Sequence, residues 1–201
     1  MDTDTGVEFE LWTRSLGGDS AAFGELFDEH RDRVFRHAFR LIGNVQDAED
    51  ATAAVFLELW RRRSHVRVVD GSILPWLLVT TTNTGRNIQR AARRYRSFID
   101  ALQRDPDAIG AEEELLRHHP LDSVGEPLIV ALRTLTPTDM QLFALVNLED
   151  YPIADAAEAL GLSAAAAKTR LHRSRVHLRS ALGERNGLSS PLVTRTKGDP
   201  S

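Results

Sequence analysis

Apolar residues recur along this chain at intervals of three and four, not two, and that spacing predicts a protein built of helices. Phe23, Leu26, Phe27, His30, Val34, Ala38 and Leu41 mark one amphipathic helix, which Gly43 should end. Asn44 caps the next. There Asp47, Glu49 and Asp50 set negative charge against the first-turn amides, and Ala48, Thr52, Val55 and Leu59 form the inward stripe. The pattern breaks between Arg61 and Leu74, where Asp70-Gly71-Ser72 is turn chemistry, and a third helix opens at Pro75. On it Leu77, Thr81, Ile88, Ala92 and Tyr95 fall on the packing side, with Asn83, Arg86, Arg90 and Arg93 on another. No sustained alternation of β-branched and polar residues marks a strand.

Helical signals resume at Leu128. Thr136 is placed as a cap with Pro137 at the first helical position, opening a helix through Leu142, Leu145 and Val146. A short helix follows Pro152 and reaches Leu160, Gly161-Leu162-Ser163 turns the chain, and a longer helix runs from Ala164 to about Leu182. The intervening stretch has weak periodicity, with Pro106, Gly110, Pro120 and Gly125, and predicts a linker with at most a short helix at 111–117. The expected architecture is all-α, with two small helical domains joined by a flexible acidic linker. The spans are 15–100 for the N-terminal domain, 101–126 for the linker, 127–183 for a C-terminal domain containing a helix-turn-helix, and 184–201 for a disordered tail.

Charge changes the picture more than composition does. At 201 residues, 42% hydrophobic and 27% charged, the chain has an ordinary globular balance. It has no cysteine, which removes disulfide scaffolds, cysteine zinc sites and thiol catalysis. No apolar run approaches the roughly 20 residues that cross a bilayer, and Met1-Asp2-Thr3-Asp4 does not open a secretion signal, so a cytoplasmic protein without membrane insertion is expected. The net charge of -4 hides opposed blocks. Five arginines and no acid lie between Arg86 and Arg96, and one lysine and four arginines, again with no acid, lie between Lys168 and Arg179. Between Asp105 and Glu126 seven acids face the single Arg117.

The segment from Asp155 to Arg175 has the proportions of a helix-turn-helix: a short helix, a three-residue glycine turn, and a second helix with a basic outer face that suits a major groove. Ala156, Ala157 and Ala159 allow close helix approach, and Ala167, Leu171, Leu178 and Leu182 continue the inward stripe. Lys168, Thr169, His172 and Arg173 are left for bases or phosphates, with Arg170 and Arg175 beside them. A helical hairpin with a merely solvated basic face is the bland alternative. The arginines of the third helix, extended by Arg61, Arg62, Arg63 and Arg67, form a second cationic region. Enzyme signatures are missing from the sequence: it has no glycine-rich phosphate loop and no His-Glu-x-x-His pair. His118 and His119 near Glu112, Glu113 and Glu114 lack the spacing of a metal site. The sequence reading therefore calls for no catalytic residue, cofactor or metal.

Three segments together resemble a known family. Asp47-Ala-Glu-Asp-Ala-Thr-Ala-Ala-Val-Phe-Leu-Glu-Leu-Trp60, then Pro75-Trp76-Leu77 with Asn83 ahead of the arginine-rich helix, then Asp155 to Ser163 with Lys168-Thr-Arg-Leu-His-Arg-Ser-Arg175, resemble the extracytoplasmic-function sigma factors of bacteria. The resemblance implies a promoter-recognition subunit of RNA polymerase. Its N-terminal domain would meet the polymerase core through Asp47, Asp50, Glu58 and Trp60. It would open and read the -10 element with Asn83, Arg86, Arg90, Arg93 and Arg94, flanked by Arg61, Arg62 and Arg63, while the loop from Arg61 to Leu74 captures an unpaired base. The helix from Ala164 would read the -35 element, and an anti-sigma factor is the expected inhibitor. A stand-alone helix-turn-helix regulator, binding operators without polymerase, is the alternative. The chain departs from the family pattern at Ala53-Ala54, where members commonly carry Gln-Glu, at Asn87, where an Asp is usual, and at Ala165-Ala166-Ala167, where a Gly-Thr-Val step is usual. The acidic linker predicts feeble DNA affinity away from polymerase.

Overall fold

The structure, a computed structural model, describes residues 3–102 and 131–186. Its helices are α1 (Thr3–Leu16), α2 (Ser20–Ile42), α3 (Val45–Arg62), α4 (Leu74–Leu102), α5 (Pro137–Asn147), α6 (Ile153–Ala159) and α7 (Ala164–Asn186), with a 3₁₀ turn at Arg63–His65 and a further helical stretch at 131–134. Among the described residues there is no strand, only one isolated bridge between Val69 and Ser72. Residues 101 and 102 belong to α4, and the rest of the expected linker lies outside the described residues. Residues 184–186 of the expected tail belong instead to α7, and the rest of it lies outside the described residues.

The helix ends follow local chemistry. Asp19 caps α2 by accepting from the amides of Ala21 and Ala22 at 3.0 and 3.1 Å. Gly43, at φ 82°, closes α2 in the left-handed conformation that glycine tolerates best, and its amide donates to the Phe39 carbonyl. Asn44 accepts from the Asp47 amide at 3.0 Å, and Thr136 accepts from the Asp139 amide at 3.2 Å with Pro137 beside it. Gly161, at φ 66°, makes the turn between α6 and α7.

Helix α1 carries no clear signal in the sequence and lies almost wholly before residue 15. Its inward residues are Glu8, Leu11, Trp12 and Ser15, two of them polar, so a hydrophobic count passes over it. It packs on α2. Helices α2, α3 and α4 bury Leu26, Val34, Val55, Leu59, Leu77 and Leu78. A Cβ at Gly85 would stand 3.2 Å from Ile42 Cγ1, so the bare backbone lets α4 cross α2 closely. The expected inward stripe on α4 ends early: Ala92 is exposed and Tyr95 is 67% exposed, because no described element packs against this end of the helix.

Helices α5 to α7 form a second group around Leu142, Leu145, Ala156, Ala157, Ala167 and Leu171. These residues belong to the same apolar cluster as Leu77 and Leu78, so the two groups share a core.

Candidate nucleic-acid interface

At 100° per residue, Asn83, Arg86, Arg90, Arg93 and Arg94 fall within an arc of about 100° on α4, roughly opposite its buried side. Asn83, Arg90 and Arg94 are exposed, while Arg86 and Arg93 are half-buried. Burial, then the nearby charges of Arg90 and Arg93, hold the Arg86 guanidinium below its usual value. Arg61 and Arg62 are exposed on the neighbouring end of α3, where Arg62 pairs with Glu58 one turn back. Arg63 lies 4.3 Å from the Trp60 ring centroid and donates to the Trp60 carbonyl at 2.7 Å, a cation-π arrangement that fixes the side chain.

The loop between α3 and α4 is held from below by α1. Oε1 of buried Glu8 accepts from the Ile73 amide at 2.7 Å, the Ser72 hydroxyl at 2.9 Å and His30 Nε2 at 3.0 Å. Ser72 Oγ in turn accepts from the Leu74 amide at 3.1 Å, at the start of α4. Asp70 and Gly71, with φ of 49° and 76°, shape the tip between the paired Val69 and Ser72. Burial pushes the Glu8 carboxyl upward, but the His30 hydrogen bond and charge, with the Ile73 and Ser72 donors, outweigh it and leave the group below its ordinary value. Glu8, Glu29 and His30 stand close enough to suggest a metal cluster. The hydrogen bonds from Ile73, Ser72 and His30 instead commit Glu8 to the loop.

In the helix-turn-helix, α6 and α7 meet through Ala156, Ala157, Ala167 and Leu171, all buried. Lys168, Thr169, His172 and Arg173 lie on the opposite, exposed side of α7. Two expected neighbours also have partners within the protein, although Arg170 is only half-buried and Arg175 is exposed. Arg170 pairs with Asp139 at 2.9 Å, and Arg175 donates to Asn147 Oδ1 at 2.8 Å, so both tie α7 to α5. Of the six, Lys168, Thr169, His172, Arg173 and Arg175 are exposed, and Arg175 shares its guanidinium with Asn147.

The four residues expected at polymerase separate into two places. Asp47, Asp50 and Glu58 line one flank of α3, with exposed Ala54 among them, whereas Trp60 turns to the other flank beside Ala53 and meets Phe23 edge-on at 5.0 Å. Between α3 and α4 a groove of about 480 Å³, lined by Ala54, Glu58, Trp76 and Asn83 among others, joins the acidic flank to the cationic stripe.

Sequence reasoning missed a buried charge cluster between the two helix groups. Glu149, 9% exposed, follows α5 and projects between α2 residues. Its Oε1 accepts from Arg40 Nη1 at 2.7 Å and from His37 Nδ1 at 2.8 Å, and its Oε2 accepts from Arg33 Nε at 3.2 Å. The Thr82 hydroxyl donates to the Leu78 carbonyl at 2.9 Å and also lies 3.0 Å from His37 Nε2. Burial drives the Glu149 carboxyl upward, yet His37 first, then Arg33 and Arg40, keep it below the ordinary carboxylate value. The sequence pattern singles out no member of this cluster: the histidine on the expected inward stripe of α2 is His30, which bonds Glu8.

Family comparisons match the two halves separately. Residues 26–96 match sigma-70 region 2, and residues 126–178 match sigma-70 region 4. The chain is 34% identical over 173 residues to the ECF RNA polymerase sigma factor SigE of Mycolicibacterium smegmatis, covering 83% of this chain and 65% of that protein. It is 30% identical over 175 residues to the RNA polymerase sigma factor CarQ of Myxococcus xanthus, covering 85% of this chain and 95% of that one. The chain thus spans about two thirds of the length of SigE, and likewise 65% of BldN of Streptomyces coelicolor, to which it is 26% identical over 86% of its own length. The solved structure of CnrH in complex with the cytosolic domain of CnrY shares the fold, with a TM-score of 0.55 at 19% identity, covering 89% of this chain and 98% of that one.

Proposed function

Because the chain belongs to the extracytoplasmic-function sigma factors of RNA polymerase, we propose that it directs the polymerase core to specific promoters and helps open them. The observation that carries this reading is the presence of two separate cationic helix faces, on α4 and on α7, each opposite its own buried side. One basic face fits a duplex-binding module. Two, on matches to two different sigma regions in the family's order, fit a protein that reads two promoter elements.

In this reading Arg61, Arg62, Arg63, Asn83, Arg86, Arg90, Arg93 and Arg94 meet the -10 element, and the loop braced by Glu8 receives an unpaired base. Unstacking a base costs a few kcal/mol, which contacts to the opened strand must offset, and the sigma subunit contributes no catalytic group of its own. Lys168, Thr169, His172 and Arg173 meet the -35 element, with Arg170 and Arg175 setting the angle of α7. Asp47, Asp50 and Glu58 on one flank of α3, with Trp60 on the other, meet the core. A cytoplasmic setting and an anti-sigma partner go with the family. Among the described residues no helix is long and apolar enough to cross a membrane.

The test is transcription of a genomic library in vitro with core polymerase and the purified protein, followed by mapping of start sites. Selective initiation from a shared sequence pattern is the expected result. A palindromic footprint from the protein alone, with no selective initiation, would replace this reading with that of an operator-binding regulator.

A further inference from the structure

The arginines of α4 line a cavity whose apolar walls have no part in the promoter reading. It measures about 200 Å³ and lies between α4, the end of α2 and the segment around the start of α5. Leu41, Leu132 and Met140 form the apolar walls, and Arg86, Arg90 and Arg93 line the cavity from α4. Spacings of four and three along the helix put these three guanidinium groups on one side.

Arg86 is short of partners. Its Nη2 donates to the Leu135 carbonyl at 3.1 Å, while Nη1 is, among the described residues, the one buried side-chain nitrogen or oxygen without a hydrogen-bond partner. A buried donor left unsatisfied is costly, and more so on a charged group. Burial works against the charge of Arg86, and the neighbouring charges of Arg90 and Arg93 add to that penalty. An anion in the cavity would answer both deficits, as hydrogen-bond acceptor and as counter-charge.

The walls narrow the chemistry further. A bare phosphate would leave Leu41, Leu132 and Met140 unused, and the sugar-phosphate ribbon of a duplex has no apolar group to set into a recess of this size. A wholly apolar molecule would desolvate the guanidinium groups without compensation. An apolar cavity of roughly 150 Å³ holds one benzene ring, so this one has room for a body of that size.

We propose that the cavity is a binding site for a small organic anion, a phosphate or carboxylate on a body of about one ring. Arg86, Arg90 and Arg93 hold the head, and Leu41, Leu132 and Met140 hold the body. The same arginines are among those assigned to the -10 element, so ligand and promoter draw on one set of cations. The site itself does not rest on the promoter reading, and its test uses neither polymerase nor DNA.

Isothermal titration calorimetry of the full chain at about 50 mM salt compares phenyl phosphate, benzoate and inorganic phosphate. Phenyl phosphate is expected to bind one site per chain, at least about tenfold more tightly than inorganic phosphate because the ring is buried. Benzoate binding as tightly as phenyl phosphate, or less tightly, supports the site equally and names its preferred head. Equal affinity for phenyl phosphate and inorganic phosphate, or no saturable binding of phenyl phosphate, overturns the proposal.

Two variants locate the ligand. Leu132→Trp narrows the cavity and should weaken phenyl phosphate by at least about tenfold while leaving inorganic phosphate within about twofold. Arg90→Gln, at an exposed position on α4, should weaken both by about tenfold. Unchanged phenyl phosphate affinity in folded Leu132→Trp puts the ligand elsewhere and overturns the assignment. Where that variant fails to fold, unchanged affinity in Arg90→Gln overturns it.

Discussion

His37 Nδ1 stands 2.8 Å from Glu149 Oε1, joining α2 to the end of α5 across 112 positions of sequence. His37 is fully buried and its other nitrogen is taken by Thr82, so it has no route to water if the carboxylate is lost. Arg33 and Arg40 can turn to solvent; His37 cannot. Glu149→Ala should therefore lower stability by about 1–3 kcal/mol, the scale of a buried hydrogen-bonding group left without its partner. Thermal and urea unfolding measure this, with Arg33→Ala as the milder comparison.

The same carboxylate fixes a pH dependence. Glu149 and Glu8 both titrate below the ordinary glutamate value of 4.5 when folded. The unfolded chain therefore binds more protons than the folded one in the window just below 4.5. Their stabilisation should be complete above that value and disappear as the pH falls through the lower folded values. Melting temperatures followed downward from pH 6 should drop in that window for the wild-type protein, and Glu149→Gln should flatten the drop.

Glu8 makes a local prediction. Glu8→Ala removes the acceptor for the Ile73 amide and the Ser72 hydroxyl, and buried donors left in this way cost about 1–3 kcal/mol. Hydrogen exchange should show the Ile73 amide deprotected well beyond the change in global stability. Open-complex formation should slow more than core binding does, because the loop loses its brace while the α3 flank is untouched.

On α7 the exposed and paired cations should behave differently. Arg173→Ala should weaken promoter binding and reduce the steepness of its salt dependence by about one counterion. Arg170→Ala breaks a half-exposed pair with Asp139 and should cost no more than about 1 kcal/mol of stability, with a smaller change in the salt slope. Filter binding of the polymerase complex across a salt series separates the two.

Much of the fold is legible in the sequence because helix ends are local. Asn44, Gly43, Thr136 and Pro137 act within four residues of themselves, and all four take the expected places. Helix α1 escapes notice since half of its inward residues are polar: Ser15 bonds back to the Trp12 carbonyl, and Glu8 is satisfied only by α2 and by the loop near Ser72. Tyr95 misleads in the opposite sense: its spacing fits a packed stripe, but no described neighbour reaches that far along α4. For the candidate site, Lys168, Thr169, His172 and Arg173 follow from periodicity, as does the stripe on α4. The roles of Arg170 and Arg175 depend on Asp139 and Asn147, and the Glu149 cluster depends on residues more than a hundred positions away. Pairings at such distance leave no periodic mark.

The central claim is that promoter-directed initiation runs through both cationic faces. The direct measurement is run-off transcription with core polymerase from a promoter selected by the wild-type protein, comparing Arg90→Glu with Arg94→Glu on α4, Lys168→Glu with Arg173→Glu on α7, and all four together. Each pair should reduce initiation at least about tenfold, and the combination should abolish it while core binding persists. Initiation at the wild-type level by the fourfold variant would contradict the account.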